Sequence, residues 1–65
     1  MDIKDVNFEF RQDFVKGQHC KAIHVPSGLY TEATDLKSRA RAKNQAVRTL
    51  AAKVRQWEVK RGISG

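Results

Sequence analysis

Apolar and polar positions along this chain change period twice. Val6 to Phe10 reads Val-Asn-Phe-Glu-Phe, an alternation of period two that predicts a strand with Val6, Phe8 and Phe10 toward a core and Asn7 and Glu9 toward solvent. Arg11 to Lys21 lacks a clear period. Gln12-Asp13 and Lys16-Gly17-Gln18 are loop-like, so a long, partly mobile loop is expected there. Ala22 to Val25 and Leu29 to Ala33 read as two further strands, the second rich in strand formers. Between them Pro26-Ser27-Gly28 is a turn signal that makes the pair a hairpin.

From about Asp35 to Lys60 the period becomes helical. Leu36, Ala40, Val47, Leu50, Ala51, Val54 and Trp57 fall on one face at 100° per residue, a stripe broad enough to bury against a sheet. Thr34 or Asp35 can cap this helix. The expected architecture is therefore α+β: a small three-stranded antiparallel sheet with one long C-terminal basic helix packed on it, in the order β-β-β-α. Trp57, the largest apolar surface in the chain, is expected to close the far end of the core. Residues 1–61 read as one domain and 62–65 as a flexible tail.

Charge sharpens the picture of the helix. Lys37, Arg41, Arg48 and Arg55 form a second stripe beside the apolar one, the three arginines seven residues apart, with Lys53 and Lys60 on the opposite flank. From Lys37 onward there are nine Lys or Arg and one acid, Glu58. Residues 1–36 hold four basic and six acidic residues, so the two parts carry +8 and −2 of the net +6. Basic charge concentrated on one element points to a polyanion. Lys37, Arg39, Arg41, Lys43, Arg48, Lys53, Arg55 and Lys60 are the candidate nucleic-acid contacts.

Composition removes several classes. At 65 residues there is room for one small core. Cys20 is the single cysteine, so there is no internal disulfide, and a lone thiol fits a reducing, cytoplasmic compartment. His19, Cys20 and His24 lack zinc spacing, and no metal or cofactor is expected. No apolar run approaches a membrane span, and the opening Met-Asp-Ile-Lys-Asp is too polar for a secretory signal. No nucleophile–base triad, paired carboxylates, phosphate-binding glycine loop or helix-turn-helix pair can be assembled.

The stretch from His24 to Val54 resembles the catalytic domain of class I peptide chain release factors. That family carries H-[IV]-P-T-G in a strand–turn–strand, then an acidic spacer, then R-S-Q-x-x-N-K-x-x-A opening its last helix. Here His24-Val25-Pro26-Ser27-Gly28 stands for the first piece, Lys37-Ser38-Arg39 for Arg-Ser-Gln, and Ala42-Lys43 for Asn-Lys. Ala46 matches the alanine and Leu50 an apolar core position, in a register that needs no gap to about Glu58. Upstream, Val6 to Arg11 resembles the family's first strand, and Gly17-Gln18-His19 falls where the family ends its Gly-Gly-Gln motif. The likeness covers about residues 5–60.

The resemblance implies ribosomal RNA, or tRNA on the ribosome, as partner, and carries the family's catalytic pair onto Gly17 and Gln18. In the family the glutamine main-chain N–H stabilises charge as water attacks the peptidyl-tRNA ester. Two features depart from the pattern. Lys16 replaces the first glycine, at a cost of about 1–2 kcal/mol if that position must be left-handed. The segment joining the motif to the next strand is also shorter than the family's. The expectation is a monomeric, RNA-binding, ribosome-associated domain whose hydrolytic power does not follow from its scaffold. The alternatives are an active peptidyl-tRNA hydrolase and a protein-interaction or inhibitor module that grips an acidic partner with the same helix.

Overall fold

The computed structural model of the chain describes residues 1–62. A short 3₁₀ turn, Ile3–Asp5, leads into β1 (Val6–Asp13), β2 (Gly17–His24), β3 (Leu29–Asp35) and α1 (Arg39–Lys60). The strands form one antiparallel sheet in the order β1-β2-β3, and α1 lies across one face of it, over β2 and β3. The β-β-β-α, α+β arrangement read from the periodicity is the observed fold.

The pairing register explains which residues reach the core. Val6 opposes His24, Phe8 opposes Ala22 and Phe10 opposes Cys20, while Cys20 opposes Ala33 and Ala22 opposes Thr31. Because side chains alternate faces, these residues share the face under the helix. Val6, Cys20, Ala22, His24 and Thr31 are buried, and Phe8, Phe10, Leu29 and Ala33 pack around them. The Thr31 hydroxyl donates to the Ala46 carbonyl at 2.7 Å, tying the middle of the helix to β3. Burial pushes the Cys20 thiol above its ordinary pKa, against the opposing influence of Lys43 and Arg39.

Three expectations are corrected. The segment 11–21 is not a long loop: β1 and β2 run on through it, leaving Phe14-Val15-Lys16 as the turn. The Asp13 carboxylate accepts the N–H groups of Val15 at 2.8 Å and Lys16 at 3.4 Å, and Gly17 takes φ +83° to enter β2. The polar side chains that suggested a loop lie where the strands extend beyond the core. No non-glycine residue among those described has positive φ, so Lys16 bears no left-handed strain.

The helix also starts later than its periodicity suggests. Ser38, not Thr34 or Asp35, is its N-cap, with its hydroxyl accepting from the Arg41 N–H at 3.2 Å. Such a cap contributes about 1 kcal/mol. Asp35 closes β3 and accepts from the N–H groups of Lys37 (3.0 Å) and Ser38 (2.6 Å), turning the chain onto the helix.

The third correction concerns the buried helix face. Ala42, Ala46, Leu50 and Val54 are fully buried, Val47, Ala51 and Trp57 are half-buried, and Leu36 and Ala40 are exposed. Leu36 precedes the helix and so leaves its stripe. The alanines at i and i+4 bring the helix backbone close to the sheet, which a stripe weighted toward large side chains does not reveal. Trp57 packs edge-on against His24 at 5.9 Å and joins the core at its far end. Gly62, with φ +71°, donates its N–H to the Val59 carbonyl and finishes the helix. Of the tail expected at 62–65, residues 63–65 lie outside the described residues.

Candidate nucleic-acid interface

Two faces of the molecule are open to a partner, and their charge patterns differ. On the uncovered face of the sheet Glu9 opposes Lys21, Lys21 opposes Glu32, and Arg11 opposes His19. His19 Nε2 lies 3.0 Å from a Glu32 oxygen, and the Lys21 ammonium sits over the Tyr30 ring at 4.6 Å. Opposite charges side by side cancel at a distance, and that face offers little to a polyanion. The outward face of α1 holds cations without acids between them.

The eight cations singled out from the sequence do not share one surface. Arg41, Arg48 and Arg55 are exposed on the side of the helix away from the sheet, since the buried row runs through Ala46, Leu50 and Val54. Seven residues correspond to about 10.5 Å of rise, so this row extends about 21 Å. At physiological salt the screening length is about 8 Å, shorter than that spacing. The row therefore stands with little mutual repulsion until a partner displaces the salt. Among the described residues the one contact within salt-bridge distance is His19–Glu32, so none of these arginines forms a salt bridge, although Arg41 stands close enough to Asp35 to attract its carboxylate.

Arg39, Lys43 and Lys53 turn toward the sheet instead. The Arg39 guanidinium lies 4.0 Å from the Phe10 ring centroid, and the Lys43 ammonium 4.9 Å from that of Phe8. These contacts roof the part of β1 that the helix does not cover. The two phenylalanines stack with centroids 6.2 Å apart. Lys53 Nζ donates to the Tyr30 carbonyl at 3.3 Å on the β3 side. Lys37 lies in the link before the helix and Lys60 in its last turn. Arg61, absent from the sequence-based set, covers Trp57 at 4.4 Å.

Gly17 and Gln18 begin β2. Gly17 opposes Asp13, and Gln18 lies between Gln12 of β1 and Asp35 of β3. A Cβ on Gly17 would stand 2.6 Å from the Asp35 carbonyl oxygen and 2.6 Å from Leu36 Cα. The glycine is thus where the hairpin touches the end of β3. Gln12, Asp13, Phe14, Gly17, Gln18 and Leu36 line an open cleft of about 450 Å³ at this end. Phe14, Val15 and Leu36 stand exposed around it. In the sequence Leu36 reads as part of the helix stripe, while Phe14-Val15 is an apolar pair isolated among Gln12-Asp13 and Lys16-Gly17.

The His24-to-Gly28 turn is held by its own side chains. Ser27 Oγ accepts the Leu29 N–H at 3.1 Å and lies 2.7 Å from His24 Nδ1, while the Gly28 N–H donates to the His24 carbonyl at 2.8 Å. His24 is buried and committed to this turn and to Trp57. Among the described residues no group of three His, Cys, Asp or Glu side chains could hold a metal, and no helix is long and apolar enough to cross a membrane.

Asp35 carries a pH dependence. Its carboxyl sits below the ordinary value of 3.8, chiefly through the Ser38 N–H and then that of Lys37, with Arg41 and Lys37 adding attraction. A depressed native pKa stabilises the fold above the unfolded value, and that stability is lost as pH falls through the native one. The melting temperature is expected to decline on acidification below pH 3.8, and less steeply in Asp35→Asn. A calorimetric series from about pH 5 to about pH 2 checks this. Equal slopes for the two proteins would remove Asp35 as a contributor.

Comparison of the chain with protein-family models, with curated proteins and with solved structures gives no match in any of the three.

Proposed function

We propose that this domain binds RNA through the outward face of α1, as a ribosome-associated module resembling the catalytic domain of peptide chain release factors. The observation that carries this reading is the row Arg41, Arg48 and Arg55: exposed, free of salt bridges and opposite the buried row of the helix. Such a row contacts phosphates, which gives affinity and strong salt dependence and reads little sequence. Structured RNA, recognised largely by shape and backbone, suits it.

The test is binding to purified ribosomes and to a structured ribosomal RNA fragment across a salt series, for the wild type and the Arg41→Glu, Arg48→Glu, Arg55→Glu triple variant. The wild type is expected to bind, with log affinity falling linearly in log salt. The triple variant is expected to lose about three units of that slope, about one per phosphate contact. All three side chains are exposed, so the variant should fold. Unchanged binding by the triple variant would sink the reading. Binding that survives nuclease treatment of the sample would move the weight to an acidic protein partner.

A further inference from the structure

The hairpin tip lies at the same end of the molecule as the start of the helix, and its surface has a different chemistry from the arginine row. Phe14 is fully exposed, with Val15 and Leu36 also outside the core. Phe14 and Leu36 contribute apolar surface to the cleft, Gln12 and Gln18 contribute amides, and Asp13 a carboxylate. The Asp13 carboxylate is engaged by the N–H groups of Val15 and Lys16. The two glutamines oppose each other across β1 and β2, so both point to the same side of the sheet. Leu36 is shared with a neighbouring hollow of about 440 Å³ lined also by Thr34, Asp35, Lys37 and Arg41, in which the Asp35 carboxylate is taken up by the Lys37 and Ser38 N–H groups. Arg41 is also the first residue of the outward row. Basic surface, aromatic tip and amide-lined cleft are therefore continuous.

We propose that this cleft takes one unpaired nucleotide of the bound RNA, its base stacked on Phe14 beside Leu36 and its edge met by the Gln12 and Gln18 amides. The inference rests on the RNA-binding reading above and deepens it by naming a second element of the ligand. A base is a flat apolar surface with a polar rim, and its recognition commonly pairs an aromatic platform with side-chain donors and acceptors. An amide provides two donors and an acceptor without charge, which suits a base edge. The cleft volume lies within the roughly 300–1,000 Å³ of small-ligand sites. The adjoining phosphate would lie on the Lys37–Arg41 side, away from Asp13, whose carboxyl is held ionised below its ordinary pKa, chiefly by the Val15 N–H.

The experiment uses fluorescence anisotropy with two blunt-ended RNA duplexes of equal charge, one a fully paired stem and the other carrying a single-nucleotide bulge. The wild type should prefer the bulged RNA. Phe14→Ala should lower affinity for it roughly tenfold, and for the paired stem by less than about twofold, since only the bulged RNA loses the stacking of a base on the ring. Phe14→Tyr, which keeps the platform, should retain the preference. Phe14 makes no core contact, so circular dichroism of the alanine variant should match the wild type.

If both RNAs bind, and both weaken in the arginine triple variant, yet Phe14→Ala changes neither, the nucleotide site is overturned while the helix reading stands. Equal weakening for the two RNAs in Phe14→Ala overturns it as well. No binding to either RNA removes both readings together.

Discussion

Gly17→Ala is expected to lower the melting temperature by about 15 °C, with a cost of about 3 kcal/mol or more. Two penalties meet at this residue. Its φ of +83° is left-handed, which costs a residue with a Cβ about 1–2 kcal/mol. The added Cβ would also stand 2.6 Å from the Asp35 oxygen and Leu36 Cα and 2.8 Å from the Leu36 oxygen, all backbone atoms that cannot swing away. Overpacking of this kind adds about 1–3 kcal/mol. A chain of 65 residues has a total stability of only about 3–10 kcal/mol, and in domains of this size about 4–8 °C is lost per kcal/mol.

Gly28→Ala is the control. Its φ of +75° carries the same conformational penalty, but no atom lies within 4 Å of the added carbon. Thermal melts followed by circular dichroism should show Gly28→Ala losing about half as much as Gly17→Ala. Equal losses would mean that the hairpin does not rest on β3 in solution. This separation bears on the proposed release-factor-like reading. Any loss of function on replacing Gly17 would be dominated by the fold. Gln18, whose exchange alters no glycine geometry, is the position at which to test a part in peptide release.

What the sequence made legible follows from where local pattern and tertiary packing agree. The alternation Val6, Phe8, Phe10 and the Pro26-Ser27-Gly28 turn are complete local signals, and they appear as a half-buried strand and a hairpin held by Ser27. Arg11 to Lys21 failed because what shapes it is not a period-two pattern. Strand formation there depends on Gly17 reaching the backbone of β3 and on Asp13 closing the turn, and neither shows as periodicity. The charge stripe was legible as a spacing. Its division into Arg41, Arg48 and Arg55 outside and Arg39, Lys43 and Lys53 against the sheet depended on knowing that Phe8 and Phe10 lie beyond the helix's edge. The cleft at the tip was invisible, because its lining comes from β1, the turn, β2 and the residue after β3.

Two leucines placed on one stripe by their spacing make the sharpest test of the helix register. Leu50→Ala is expected to cost about 3–5 kcal/mol, the range for removing a fully buried leucine side chain. Leu50 has no exposed surface and is, with Val54 and Cys20, among the largest fully buried side chains. The rest of the buried apolar set is Val6, Ala22, Ala42 and Ala46, too small to close the cavity by shifting. That cost consumes much or all of a stability of about 3–10 kcal/mol, so Leu50→Ala should be largely unfolded at 37 °C. Leu36→Ala should stay within about 0.5 kcal/mol of the wild type, because Leu36 is 75% exposed and lies before the helix. Urea titrations of the two variants measure both numbers directly. A comparable loss at Leu36 would require the helix to begin before Ser38 and to bury its first turn, restoring the face that spacing alone implied and withdrawing Leu36 from the tip.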